Sequence, residues 1–163
     1  MDSQALADLV LADLESVVDR ARTAYVERVP KIRQLDSATL DRVVEATRRT
    51  MREFCRYYIE GTLDSAGWRT VRDATMERAG EVFTYEEILE IVDIAKQIGL
   101  DTIEDLTAAH PDLPASERAK LTKALERYVT ELSEQEDRLR RLANPARLDA
   151  ILSDLENEGA DLA

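Results

Sequence analysis

Cysteine and histidine each occur once in these 163 residues, as Cys55 and His110. One cysteine excludes an internal disulfide framework and a cysteine-rich zinc site. It fits a reducing, cytoplasmic setting. Five glycines and four prolines are few for a sheet protein with tight turns. No stretch approaches about 18 uncharged apolar residues, so nothing is expected to span a membrane. The opening Met1-Asp2-Ser3-Gln4 lacks the basic region and apolar run of a signal peptide. Basic charge is also short: 22 Lys and Arg stand against 34 Asp and Glu, a net charge of −12. That balance opposes general binding to a phosphate backbone, so no direct nucleic-acid contact is expected. Catalytic signatures are missing as well. There is no Gly-x-Ser-x-Gly, no phosphate-binding glycine loop and no Glu-x-x-His pair for a bundle metal site.

What is present is helical periodicity. Apolar residues make up 44% of the chain, enough for a real core. Leu6, Leu9, Val10, Leu14, Val17, Val18, Ala21, Tyr25 and Val29 recur in steps of three and four, which predicts one helix from Ser3 to Val29, closed by Pro30. Lys31 to Asp36 reads as a connection. A second helix is expected from an N-cap at Ser37 to a stop at Gly61. After a loop from Thr62 to Gly67, a third carries Trp68, Val71, Ala79 and Val82. Thr84 and Glu87 then form a capping box: the hydroxyl accepts from a free N–H and the carboxylate reaches back. Behind them Ile88, Leu89, Ile91, Val92, Ile94, Ala95 and Ile98 cover more than half a helix, which predicts a position in the middle of a bundle. Gly99 is a candidate break in it. A loop from Thr107 to Pro114 leads to a long helix from Ser116 to about Leu142. Asn144-Pro145 then opens a short helix with Leu148, Ile151, Leu152 and Leu155 on one face. The expected organisation is a sensor bundle over 1–115, a long helix over 116–143 and an acidic tail segment over 144–163, one domain overall.

Each candidate for chemistry has a plainer explanation. Cys55 lies beside Phe54 and Tyr58 on an apolar helix face, which predicts a buried structural thiol. His110 sits in a proline-flanked loop, a poor position for a ligand or proximal haem residue. Glu86, Glu90 and Asp93 form a solvated face. Arg48, Arg52 and Arg56, with Arg49 beside them, read as an anion patch or as a face neutralised by neighbours. The pairs Glu45–Arg49, Arg49–Glu53 and Arg56–Glu60 favour neutralisation. No catalytic residue, metal or cofactor is expected. Tyr25, Phe54, Tyr58, Trp68 and Phe83 lie on inward stripes; they are core residues and, if the bundle has a ligand pocket, its candidate lining. Trp68 is expected to be buried against the central helix.

Along the long helix, Leu121, Leu125, Tyr128, Leu132, Gln135, Leu139 and Leu142 fall in steps of four and three, a heptad seam. Leu125, Tyr128, Leu132, Leu139 and Leu142 are therefore the candidate contact of a homodimer, with the half beyond Leu132 projecting. The alternative is that the seam covers the chain's own bundle.

The order of landmarks resembles the N-terminal sensory domains of PucR-like transcription regulators and RsbR-like stressosome proteins. Tyr25, Phe54 with Gly61, and Arg78-Ala79 followed by Tyr85, Ile88 and Leu89 carry it, over roughly Leu6 to Leu106. The chain departs from that pattern in two places. Val82 and Thr84 stand where the family has Gly and Pro, and Val92-Asp93-Ile94-Ala95 replaces a Tyr-Arg-Ile-Gly run. The resemblance implies an all-α, globin-like bundle of five to seven helices, usually dimeric and without haem. It implies a domain that senses or docks and passes the result to an output domain, without enzymatic activity. No PucR-type DNA-binding segment follows, so the chain reads as the sensor of a larger regulator or a free-standing relative. The leading expectation is a non-catalytic regulatory domain with a regulatory protein partner. The alternative is a small-molecule effector domain of a one-component repressor, with its pocket between the second, third and fourth helices.

Overall fold

A computed structural model describes residues 1–79, 83–143, 153–154 and 156–157; the side chains of residues 72, 74–79, 135, 136 and 138–143 are outside the description. Of the expected short helix after Asn144 only residues 153–154 and 156–157 are described, and they are helical; its apolar face (Leu148, Ile151, Leu152, Leu155), the landmark Val82, and the side chains of Arg78, Ala79, Leu139 and Leu142 lie outside the described residues.

Among the described residues six α-helices follow one another: α1 (Ser3–Ala12), α2 (Leu14–Arg28), α3 (Ser37–Glu60), α4 (Ser65–Ala79), α5 (Tyr85–Ala109) and α6 (Ala115–Ala143), with a 3-10 helix at Pro30–Gln34 between α2 and α3. No strand occurs among the described residues. The protein is an all-α bundle with a long C-terminal helix.

Local chemistry sets most of the ends. Asp2 and Asp36 each accept a backbone N–H three residues on, from Ala5 at 2.8 Å and Thr39 at 2.7 Å. Asp36, not Ser37, is thus the N-cap of α3. Gly61 ends α3 at φ 76°, a left-handed position that costs glycine nothing. Asp64 caps α4 through Gly67 N–H at 2.7 Å, so α4 starts at Ser65, before the expected loop ends. The capping box stands at the head of α5: Thr84 Oγ1 accepts from Glu87 N–H at 3.3 Å, and Glu87 accepts from Thr84 N–H at 2.9 Å.

The first stripe is two helices, not one. At Asp13 the backbone leaves the helical region (φ −96°, ψ 6°). Aspartate competes for backbone groups and is a poor helix-interior residue. The joint changes partners: α1 lies on α3, whereas α2 crosses to pack on α5 as well as α3.

The centre is shared. α5 packs on α2, α4 and α6, while α3 packs on α1, α2, α4 and α6. The sequence placed only the α5 stripe at the centre, because its apolar arc is wider. α5 also runs unbroken through Gly99. A Cβ there would stand 2.9 Å from Leu125 Cδ2, so the glycine brings α6 close instead of ending the helix.

Two expectations about side chains are corrected. Trp68 is half-buried rather than buried, and its ring meets Tyr57 of α3 and Tyr128 of α6, with centroids 6.4 Å from both. Along α6, Leu125, Tyr128 and Leu132 are buried (4–6% exposed) in the chain's own core with Phe54 and Tyr57, so they are not surface for a second copy. A heptad seam has the same sequence pattern whichever surface covers it.

Candidate functional site

The five aromatic candidates do not form one pocket. Tyr25 and Phe83 belong to a core lobe made by α2, α3 and α5 around Ile91 and Ile94. Tyr25 is fully buried, and its hydroxyl shares a 2.9 Å hydrogen bond with Thr47 Oγ1. Phe54, Tyr58 and Trp68 belong to a second cluster, to which α1, α3, α4, α5 and α6 all contribute. There Tyr128 is the hub: its ring lies 5.6 Å from Phe54, 5.5 Å from Tyr57 and 6.4 Å from Trp68, the last nearly parallel at 19°. Offset aromatic contacts of this kind add to the energy of simple burial.

Tyr58 does a different job at the end of this second cluster. Its hydroxyl donates to Glu117 Oε2 at 2.7 Å, Ser3 Oγ donates to the same oxygen at 3.1 Å, and Lys120 Nζ donates to Ser3 Oγ at 2.6 Å. The Lys120 ammonium also lies 5.1 Å from the Tyr58 ring centroid. This cluster ties α1, α3 and α6 together. The Tyr58 hydrogen bond holds Glu117 below the usual carboxylate range. Burial, followed by the Glu117 bond, pushes Tyr58 up to about 12.

Between α3 and α5 lies a cavity of about 80 Å³. Val10, Leu14 and Val17 close it on one side and Leu125, Tyr128 and Leu132 on another. Of the expected pocket residues only Phe54 reaches it. Its hydroxyls already have partners. Tyr128 donates to the Thr50 carbonyl at 2.6 Å, and Thr50 to the Thr47 carbonyl at 2.9 Å. Thr102 donates to the Ile98 carbonyl at 2.8 Å and accepts from Arg20 at 2.6 Å. Sequence reading missed this place, although it held signals: Thr50 and Thr102 fall on inward faces, and Gly99 leaves a gap in the α5 stripe.

The remaining candidates are structural. Cys55 is buried, and burial with nearby Asp8 pushes its thiol up to about 12, far from a nucleophile's range. Arg48 bridges helices by bonding Glu15 at 2.8 Å while also holding Glu45. Arg49 meets Glu45 at 3.5 Å, and Arg56 meets Glu53 at 2.9 Å and Asp64 at 3.4 Å. The arginine face is thus paired at these positions, with Glu53 and Asp64 in direct contact with Arg56 and the expected Glu60 adding a weaker attraction. Asp93 lies 3.9 Å from Arg28. Among the described residues, no group of three or more His, Cys, Asp or Glu could hold a metal ion, and no helix is long and apolar enough to cross a membrane.

In this all-helical bundle the polar clusters described above tie one helix to another. The chain belongs to the RsbRD N-terminal domain family, that of the RsbT co-antagonist protein; the family model matches residues 15–135, from α2 into α6. The RsbR-like side of the sequence resemblance is the one found. The family is one of stressosome-type regulatory signalling domains. No curated protein and no solved structure matches the chain.

Proposed function

We propose that this chain is a non-catalytic input module. It senses or docks, in a globin-like arrangement of helices, and hands the result to other regulatory proteins in a stressosome-type assembly. The observation that carries this reading is the family match across α2 to α6. The engaged hydroxyls and inert Cys55 support the non-catalytic part. The net charge of −12 supports proteins, not nucleic acid, as partners in a cytoplasmic setting. Self-association belongs to the same reading. α6 continues from Leu132 to Ala143, and in sequence Leu139 and Leu142 extend its seam.

A domain exchange tests the proposal. The chain replaces the N-terminal domain of an RsbT co-antagonist protein, and assembly and stress output are measured. The expected chimera assembles and still changes output under stress. A chimera that behaves as a simple deletion of that domain would overturn the reading.

The effector-domain alternative meets a size limit. Pockets for drug-sized ligands run to about 300–1,000 Å³, against about 80 Å³ here. A thermal-shift panel of such metabolites is expected to show no saturable rise in Tm; a rise of several degrees would favour the alternative.

A further inference from the structure

The cavity between α3 and α5 is small and mostly apolar, the hydroxyls in its wall already have partners, and Lys96 stands at its partly exposed side. Its volume of about 80 Å³ is roughly half that of the engineered 150 Å³ cavity that stays dry and holds benzene or xenon. Water needs two to four polar partners to be stable in such a space. Tyr128, Thr50 and Thr102 all donate to backbone carbonyls instead. A void lined in this way leaves its wall atoms without dispersion contacts on one side. An apolar guest restores those contacts at no cost in hydrogen bonds.

There is also a route in. Val92, Lys96 and Val129 line the cavity and also the surface groove between α5 and α6. Ala95, Lys96 and Val129 are only partly buried. One side of the cavity therefore borders on solvent through a few side chains.

We propose that this cavity is a binding site for a small apolar solute of about three to five heavy atoms or its equivalent in size, such as xenon or cyclopropane. The reporter is built in. Tyr128 lines the cavity and stacks on Trp68, the one tryptophan of the chain. A guest that moves Tyr128 alters the surroundings of that indole.

The test does not rest on the regulatory reading, and the domain exchange can fail while binding holds. The full chain is placed under stepped xenon pressure and its methyl groups are followed by NMR. The expected result is saturable shifts centred on Val17, Leu125 and Leu132, accompanied by a change in Trp68 emission. Formamide, polar and of similar size to a small guest, should leave these methyls unmoved. Ala95→Leu points extra carbon into the space and should abolish the saturable shifts. Leu125→Ala enlarges the space and should let the folded variant take up benzene. Shifts that never saturate, shifts spread over surface methyls, or undiminished xenon binding in folded Ala95→Leu would overturn the proposal. If Ala95→Leu does not fold, failure of folded Leu125→Ala to take up benzene would do the same.

Discussion

Tyr58, Glu117, Ser3 and Lys120 show what single residues contribute here. The partners are 59 and 114 positions apart in sequence along two of these bonds. No periodicity could pair them, whereas burial of Cys55 followed directly from its apolar neighbours. Tyr58→Phe removes a hydrogen bond to a charged acceptor and is expected to cost about 1–2 kcal/mol in denaturant unfolding. Glu117 should then titrate closer to the ordinary glutamate range, as read by carboxyl NMR. The pH dependence has a definite sign. Glu117 is lowered in the folded protein, so its contribution is present above the ordinary value of 4.5 and lost as pH falls through the lower folded value. Tyr58 is raised, so its contribution is complete below 10 and lost as pH rises through about 12. The destabilisation by Tyr58→Phe should therefore be largest between these limits. A difference from wild type that grows as pH falls through 4 would contradict the Glu117 bond. Cys55 offers a simpler check: a thiol reagent should leave the native protein unmodified at neutral pH and react on unfolding. Rapid native modification would mean that the α3 face carrying Cys55 is open.

At the scale of the element, the capping box of α5 and the glycine stop of α3 were legible, whereas the N-cap of α3, the start of α4 and the joints were not. Thr84-x-x-Glu87 announces its geometry because each side chain reaches only local backbone. Thr84→Ala is expected to cost about 1 kcal/mol, read from the urea midpoint at unchanged m-value. No loss would mean that tertiary packing alone sets the start of α5. The break at Asp13 was hidden because the apolar stripe runs through it. What changes there is the set of partner helices, α3 for α1 and α5 as well as α3 for α2, and that is a property of the assembled bundle. Gly99 was misread for a related reason. A mid-helix glycine can mark a break or a close approach, and only the distance to Leu125 decides. Its substitution has a mild expected outcome. In Gly99→Ala the new methyl meets the movable tip of Leu125 beside the cavity, and alanine gains helix propensity. The net change in stability is expected to stay within about 1 kcal/mol. A loss of several kcal/mol would show that Leu125 cannot yield.

For the whole molecule, the all-helical architecture and the long last helix were legible because every segment repeats at the helical period. The division of the core into separate clusters was not, nor was the cavity between α3 and α5, because an empty space has no residue to mark it. The aromatic residues were read as core and, if a pocket exists, as its lining; they are core, Tyr25 and Phe83 in one cluster and Phe54, Tyr58 and Trp68 in another. The seam of α6 was ambiguous for a physical reason. Leu125 and Leu132 satisfy it inside the bundle, which leaves Leu139 and Leu142 as the part of the seam proposed for a second copy.

That this bundle acts by association rather than by catalysis is tested most directly by its mass in solution. Light scattering after size exclusion, over a range up to high micromolar concentration, is the measurement. The wild type is expected at twice the chain mass. Leu139→Asp with Leu142→Asp should give the single-chain mass with an unchanged helical circular dichroism spectrum. A wild type that stays at the single-chain mass throughout, with no larger species at the highest concentration, would contradict self-association through the end of α6.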